Sequence, residues 1–306
     1  MLIKVEATSV NRADILQRKG LYPPPKGSTN IIGLECAGYQ LQNAEDYVNG
    51  TYKKGRRVMA LLSGGGYSDV VAVHKDHVID IPDTFSFEQA AAVPETWLTS
   101  YQLINLVAQA EKGDIALIHA AASGIGCAAI QICRMQGVRS IAVASSGEKL
   151  KFAESLGSYA SINYKETPDF SKMVKDMTDG KGVNVILDCI GAQNFEYNIS
   201  AAAMDCKWVF FGALGGVKLE KLNLGKLLGK RINLLSSTLK NRSTAYKTNL
   251  IKNFTADCLP GFKSQQLSPI IDSVLNLSQV AEAHKRAESN LNIGKIVLKN
   301  DLAEIQ

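Results

Sequence analysis

Apolar and polar positions alternate in blocks along this chain, and one block is unusual. No charged residue occurs from Ile115 to Cys133, and Ser123-Gly124-Ile125-Gly126 interrupts the run near its middle. The piece before the interruption, Asp114 to His119, is short and apolar, as in a strand covered on both faces. The piece after it, Cys127 to Gly137, has helical length and stops at a glycine. A membrane helix needs about 20 apolar residues without a break, so the run predicts strand, turn and helix, the first half of a βαβ unit. The alternation continues with a strand at Arg139 to Ala144, a helix at Glu148 to Gly157, and strands at Val183 to Gly191, Trp208 to Gly216 and Arg231 to Ser237. Strands alternating with helices predict an α/β fold with a doubly wound parallel sheet.

The turn has a chemical use. Small residues let backbone approach a pyrophosphate, and a helix N-terminus offers it unpaired N–H groups and partial positive charge. The dinucleotide fingerprint is G-x-G-x-x-G; here it reads Ala121-x-Ser123-Gly124-x-Gly126. Taken alone, the pattern also suits a tight buried strand–helix junction. In doubly wound sheets ligands sit beyond the carboxyl ends of the strands, where Gly191, Gly212, Gly215 and Gly216 fall. The second strand ends in Ser145-Ser146-Gly147-Glu148-Lys149. Hydroxyls followed by a lysine suit a 2′-phosphate and point to NADPH; Glu148 turned inward would suit NADH, and Ser145 and Ser146 could simply cap the next helix.

Composition adds exclusions. The 306 residues are 46% hydrophobic and 21% charged, as in ordinary globular proteins of one or two domains. The net charge of +5 is spread along the chain. Its densest cluster, Lys53 to Arg57, reads as a solvated loop before it reads as a nucleic-acid patch. Six cysteines at irregular spacing, with no C-x-x-C pair, fit free thiols in a reducing compartment. The start shows no secretory signal, so a cytoplasmic, non-membrane protein is expected. His74 and His77 lie in a strand-like stretch, Val71 to Pro82, without other soft ligands, so no metal is expected there.

Further stretches occur together and in order: Asn11 to Pro25 (NRADILQRKGLYPPP), Gly33 to Gly38 (GLECAG), Ala90 to Ile104, the HAAASGIG turn, Ile162 to Glu166 (INYKE) and Asn292 to Leu298 (NIGKIVL). With them the chain resembles the medium-chain dehydrogenase/reductase superfamily, and within it the zinc-independent, NADPH-dependent quinone oxidoreductases of the p53-inducible type. The resemblance spans essentially the whole chain. It implies a GroES-like β-rich catalytic domain built from residues 1–93 and 239–306, with a Rossmann domain inserted at 94–238. It also implies a homodimer formed through the Rossmann sheets. By the same resemblance, Asn11 and Tyr22 face substrate and nicotinamide, and Thr99 lies near the nicotinamide. Ser123, Gly124 and Gly126 form the pyrophosphate turn. Lys149 and Tyr164 hold the 2′-phosphate, beside the Ser145 hydroxyl already read at that strand end, and Gly191, Gly212 and Lys295 line the cofactor.

Two departures matter. Where zinc-dependent relatives carry Gly-His-Glu, this chain has Gly33-Leu34-Glu35, and leucine cannot bind a metal. The family also places strands of the catalytic domain before the stretch that begins at Leu2, so unpaired strand edges and lower stability are expected. Without a Lewis acid, substrates that accept hydride readily are favoured, namely small quinones. Activated alkenes are the nearest alternative. A nucleotide-binding protein with an RNA-binding or structural role is the alternative of another class. Asp14 is the candidate general acid.

Overall fold

The computed structural model describes residues 1–51 and 53–301. Contacts divide the chain into two units. A split unit comprises residues 1–98 and 239–306, and an inserted unit comprises 99–238. The sequence places the first junction at Pro94. Contacts place it inside the helix Pro94–Tyr101, because Trp97 packs edge-on against Phe262 of the split unit at 4.6 Å.

Strands run in chain order as β1 (Leu2–Ser9), β2 (Glu35–Leu41), β3 (Arg57–Leu61), β4 (Val70–Ala72) and β5 (Val78–Asp80). Next come β6 (Ile115–His119), β7 (Arg139–Ala144), β8 (Ala160–Asn163), β9 (Val183–Asp188), β10 (Ala202–Phe210) and β11 (Asn233–Ser236). The chain closes with β12 (Ile271–Asn276) and β13 (Lys295–Lys299). The split unit holds a mixed, largely antiparallel sheet in the order β12-β13-β1-β2-β3-β5, with β4 also on β1. Ile3, Val5 and Ala7 of β1 are fully buried, and Lys4, Thr8 and Ser9 are buried as well, so the strand is covered on both faces along much of its length. Ile3 and Val5 meet Cys36, Val58, Ala60 and Val71 there. β1 is paired along both edges, to β2 on one side and to β4 and β13 on the other. The open edge expected at the start of this unit therefore does not fall on it. The strand-like stretch Val71 to Pro82 is broken by a tight turn, Lys75–His77, which His74 caps by accepting from the Asp76 N–H.

The inserted unit holds a parallel six-stranded sheet in the order β11-β10-β9-β6-β7-β8. All five residues of β6 are buried, as expected for a strand covered on both faces. The chain steps from β6 out through β7 to β8, then returns to β9 on the other side of β6. This reversal puts the ends of β6 and β9 side by side, where doubly wound sheets bind ligands. β10 begins and ends six residues earlier than the sequence predicts: residues 211–216 form a loop, and strand pairing starts at Ala202. All six cysteines are free and buried. Among the described residues, no helix is long and apolar enough to cross a membrane.

Candidate functional site

In the inserted unit, β6 leads through a turn into the helix Gly124–Gln136. Ala120 takes a left-handed φ of 50° in that turn, a strained value for a residue with a side chain. Ser123 is the N-cap, and its hydroxyl accepts from the Gly126 N–H at 3.1 Å. The Cys127 N–H reaches the Ser123 carbonyl at 2.8 Å. The N–H groups of Gly124 and Ile125 stand in the first turn, where a helix supplies no acceptor of its own. The sequence puts the helix start at Cys127; the observed start three residues earlier brings these two amides to the tip. Gly126 is needed for packing, since a Cβ there would lie 2.4 Å from the Ala121 carbonyl oxygen and 2.6 Å from that of Ala120. This close approach of helix to strand, with amides left over at the tip, fits a dinucleotide diphosphate.

The neighbouring strand ends carry the other expected residues. Ser146 caps the helix Gly147–Ser155 by accepting from the Lys149 N–H, so one of its sequence alternatives is realised, while Ser145 and the Lys149 side chain remain half-buried. Tyr164 follows β8, and its N–H reaches the Ala144 carbonyl at the end of β7; its ring is exposed. Lys149 and Tyr164 thus stand at adjacent strand ends, and Glu148 is exposed. Thr99 is buried in the helix Pro94–Tyr101. Gly191 takes a φ of +80°, and a Cβ there would meet the Gly216 carbonyl at 2.7 Å. Its loop and the loop carrying Gly212 are joined by backbone bonds, Leu214 N–H to Cys189 and Gly215 N–H to Ile190. A cavity of about 290 Å³ beside them is walled by Gly191, Trp208, Phe210, Val217 and Leu234.

Sequence reasoning missed the group that holds the Gly191 loop. Asp188, fully buried at the end of β9, accepts from the N–H groups of Ile190 (2.7 Å) and Gly191 (3.0 Å), from Asn198 Nδ2 and from Trp208 Nε1. Asn198 in turn bonds the buried His119 ring at 2.8 Å. Burial pulls the His119 pKa down, against the pull of Asp188. The only local sign in the sequence is an aspartate ending an apolar strand three residues before a glycine.

The split unit gathers Asn11, Lys295 and Glu35. Glu35 has no exposure. Its Oε1 accepts from Ser9 (2.5 Å), Asn11 Nδ2 (2.7 Å) and Lys295 Nζ (2.9 Å), and its Oε2 accepts from the Glu95 N–H (2.8 Å). Lys295 also donates to Asn11 Oδ1 (2.6 Å) and the Val10 carbonyl (3.0 Å). An ammonium has three donors, so these acceptors occupy them all. Lys295 therefore acts by fixing Asn11, and is neither solvated nor left with a donor for a ligand. Asn11 keeps one amide hydrogen unassigned. Tyr22, half-buried, packs over Lys240 Nζ at 4.6 Å from its ring centroid. Leu34 brings no donor to the step where zinc-dependent relatives have histidine. Among the described residues, no three His, Cys, Asp or Glu side chains converge as a metal would require. His77 instead lies near the Thr244 carbonyl.

Two acids of this unit are perturbed. Asp14, fully buried, accepts from the N–H groups of Asn11 (2.9 Å) and Gly33 (3.0 Å). Burial outweighs those bonds and pushes its carboxyl up from 3.8 to about 6. Glu95 is pushed to about 8, first by desolvation and then by the charges of Glu35 and Asp14. At about 8 it favours the protonated form at neutral pH, whereas both Asp14 oxygens are engaged by backbone.

The chain is similar to known proteins over most of its length. Residues 124–256 match the family described as zinc-binding dehydrogenase, and residues 1–83 match the alcohol dehydrogenase GroES-like domain. The chain is 28% identical over 306 residues to a probable quinone oxidoreductase of Schizosaccharomyces pombe, with 99% of this chain and 90% of that protein covered. It is 27% identical over 314 residues to the synaptic vesicle membrane protein VAT-1 homolog of Danio rerio, covering 98% of this chain but 64% of that longer protein. The quinone oxidoreductase of Thermus thermophilus, solved also as its NADPH complex, matches with a TM-score of 0.81 at 28% identity, over 97% of this chain and 90% of that one.

Removing one partner of a buried ion pair strands the other. Lys295→Met is expected to lower stability by about 3–5 kcal/mol in urea unfolding; a loss below about 1 kcal/mol would contradict the ion-pair reading. Asp14 gives a pH signature. Its folded pKa is raised, so its contribution is full below the unfolded value near 3.8 and is lost as pH rises through about 6. Relative to wild type, Asp14→Asn should therefore gain about 3 kcal/mol of stability between acid and neutral pH. A difference that does not vary with pH would refute the shift.

Proposed function

The chain belongs to the medium-chain dehydrogenase/reductases, in the quinone oxidoreductase branch, and from that premise we propose that it reduces small quinones with NADPH and without zinc. The observation that carries this reading is the tip of the helix Gly124–Gln136, where Ser123 caps Gly126 and leaves Gly124 and Ile125 to meet a diphosphate. A reduced nicotinamide dinucleotide, when bound, supplies the electron pair. The chain's own residues hold and orient. Gly124 and Ile125 bind the diphosphate charge, and the backbones at Gly191 and Gly212 allow close approach. Thr99 borders the nicotinamide. Ser145, Lys149 and Tyr164 take the 2′-phosphate, and a lysine with hydroxyl groups at these adjacent strand ends supports NADPH over NADH. In the split unit, Asn11 presents its remaining amide hydrogen to the substrate and Tyr22 presents its ring. Quinones accept reducing equivalents without a Lewis acid. The absence of a metal-binding donor at Leu34 supports them over simple alcohols or ketones.

We also infer a homodimer through β11. This strand pairs only with β10 among the described residues. Leu234, on it, and Leu228, in the helix Leu224–Gly229 that precedes it, are 48% and 79% exposed. An open edge with apolar side chains invites a second copy.

The function is tested by titrating the protein with NADPH, following nicotinamide fluorescence, and then adding a naphthoquinone or an α,β-unsaturated aldehyde. Faster oxidation with the quinone is expected; the reverse preference would assign an alkene reductase. Lys149→Ala should weaken NADPH by about 10-fold or more, the loss of a charge-assisted bond, and leave NADH nearly unchanged. Equal losses would remove the phosphate assignment. In sedimentation, wild type should run as a dimer and Leu228→Asp as a monomer; a monomeric wild type would overturn the β11 interface.

A further inference from the structure

Two lysines of the split unit are buried without an acidic partner. Lys240 and Lys247 are each 4% exposed, and among the described residues neither forms an ion pair. Lys240 Nζ donates to Gln17 Oε1 at 2.7 Å and to the Tyr22 carbonyl at 3.3 Å, beneath the Tyr22 ring. Lys247 Nζ donates to the Lys240 carbonyl at 2.8 Å. Neutral acceptors and a ring face recover only part of the cost of taking ammonium groups out of water. Lys295, just as buried, has Glu35 at 2.9 Å. Desolvation pulls Lys240 down from its ordinary value, and Asp14 and Glu95 draw it back without forming an ion pair with it.

A buried cation that the resting fold leaves uncompensated is arranged for a negative charge that arrives later. Such preorganised charge acts most strongly where water is excluded. Tyr22 is the residue proposed above to meet the substrate, and Lys240 has one N–H beyond the two it donates. We propose that Lys240 stabilises the oxygen on which negative charge develops as the substrate is reduced, the part a Lewis-acidic metal plays in other dehydrogenases. This rests on the reductase reading. The step balances as follows. A C–H bond of the reduced nicotinamide breaks with both its electrons, and the hydride forms a new bond to the quinone or enone. NADPH becomes NADP⁺. The substrate's displaced π pair moves onto oxygen, giving a phenolate or enolate that accepts the Lys240 N–H. One proton from solvent then completes the two-electron reduction.

The test compares Lys240→Met and Lys240→Arg with wild type by three readouts. The first is thermal unfolding. Removing an uncompensated buried charge should leave Lys240→Met at least as stable as wild type, whereas a merely structural lysine would lower its melting temperature. The second is para-nitrophenol, a phenol that turns yellow on ionising, added with NADP⁺ at a pH below its own pKa. Wild type should bind it as the yellow phenolate, Lys240→Arg should retain part of that signal, and Lys240→Met should lose it. The third is turnover. Lys240→Met should reduce quinone about 100-fold more slowly, as when one oxyanion donor is removed, with its NADPH titration unchanged. Destabilised Lys240→Met with an unchanged phenolate signal would overturn the proposal, as would full quinone turnover in that variant. If wild type reduces no quinone or enone but still ionises para-nitrophenol through Lys240, the reductase reading fails and the oxyanion site stands.

Discussion

Two backbone N–H groups, those of Gly124 and Ile125, are the constraint around which the inserted unit is arranged. A helix must begin with unpaired amides, and most helices spend theirs on caps or water. Here Ser123 takes up the Gly126 N–H with its hydroxyl and the Cys127 N–H with its carbonyl. What remains is confined to the tip. A glycine at 126 lets that helix sit against the end of β6 at a distance no side chain would allow. The strand order reverses between β6 and β9, which sets the Gly191 loop beside the tip. Asp188 fixes that loop by accepting two of its amides. Each feature keeps positive potential free at one place.

The split unit manages buried charge in two contrasting ways. Glu35 and Lys295 form a completed network in which every lysine donor has an acceptor and both carboxylate oxygens are engaged. Such a network holds geometry, and the geometry it holds is that of Asn11. Lys240 is equally buried but incompletely matched. A cost of that kind is retained where function requires it, whereas a purely structural role would be served better by an apolar side chain. Glu95, which favours its protonated form at neutral pH, adds a neutral acid to the same unit.

Much of the inserted unit was legible in the sequence, because strands covered on both faces are unbroken apolar runs. β7 is found at Arg139–Ala144, as its pattern predicts. β10 was misplaced because the loop after it is as apolar as the strand, and because the helix Phe195–Ala201 runs into Ala202 without a polar break. In the split unit, β4 and β5 read as one stretch because the turn between them is only three residues long. The candidate site follows the same rule. Ser123, Gly124 and Gly126 are neighbours in sequence, so the strand–helix turn they form could be read there. Glu35 and Lys295 are 260 positions apart, and only the fold brings them together. The resemblance pointed to Asn11 and Lys295 without revealing that one holds the other. Asp188 carries only the weak sign of ending an apolar strand, and Lys240 carries no local pattern that distinguishes a buried charge from a solvated one.

The amides themselves give the most direct measurement. Backbone ¹H–¹⁵N resonances of Gly124, Ile125 and Gly126 can be followed as NADPH is added. Gly124 and Ile125 should move strongly downfield and exchange more slowly with solvent, while Gly126, already bonded to Ser123, should change little. NADPH that binds without disturbing Gly124 and Ile125, or that does not bind at all, would contradict the account.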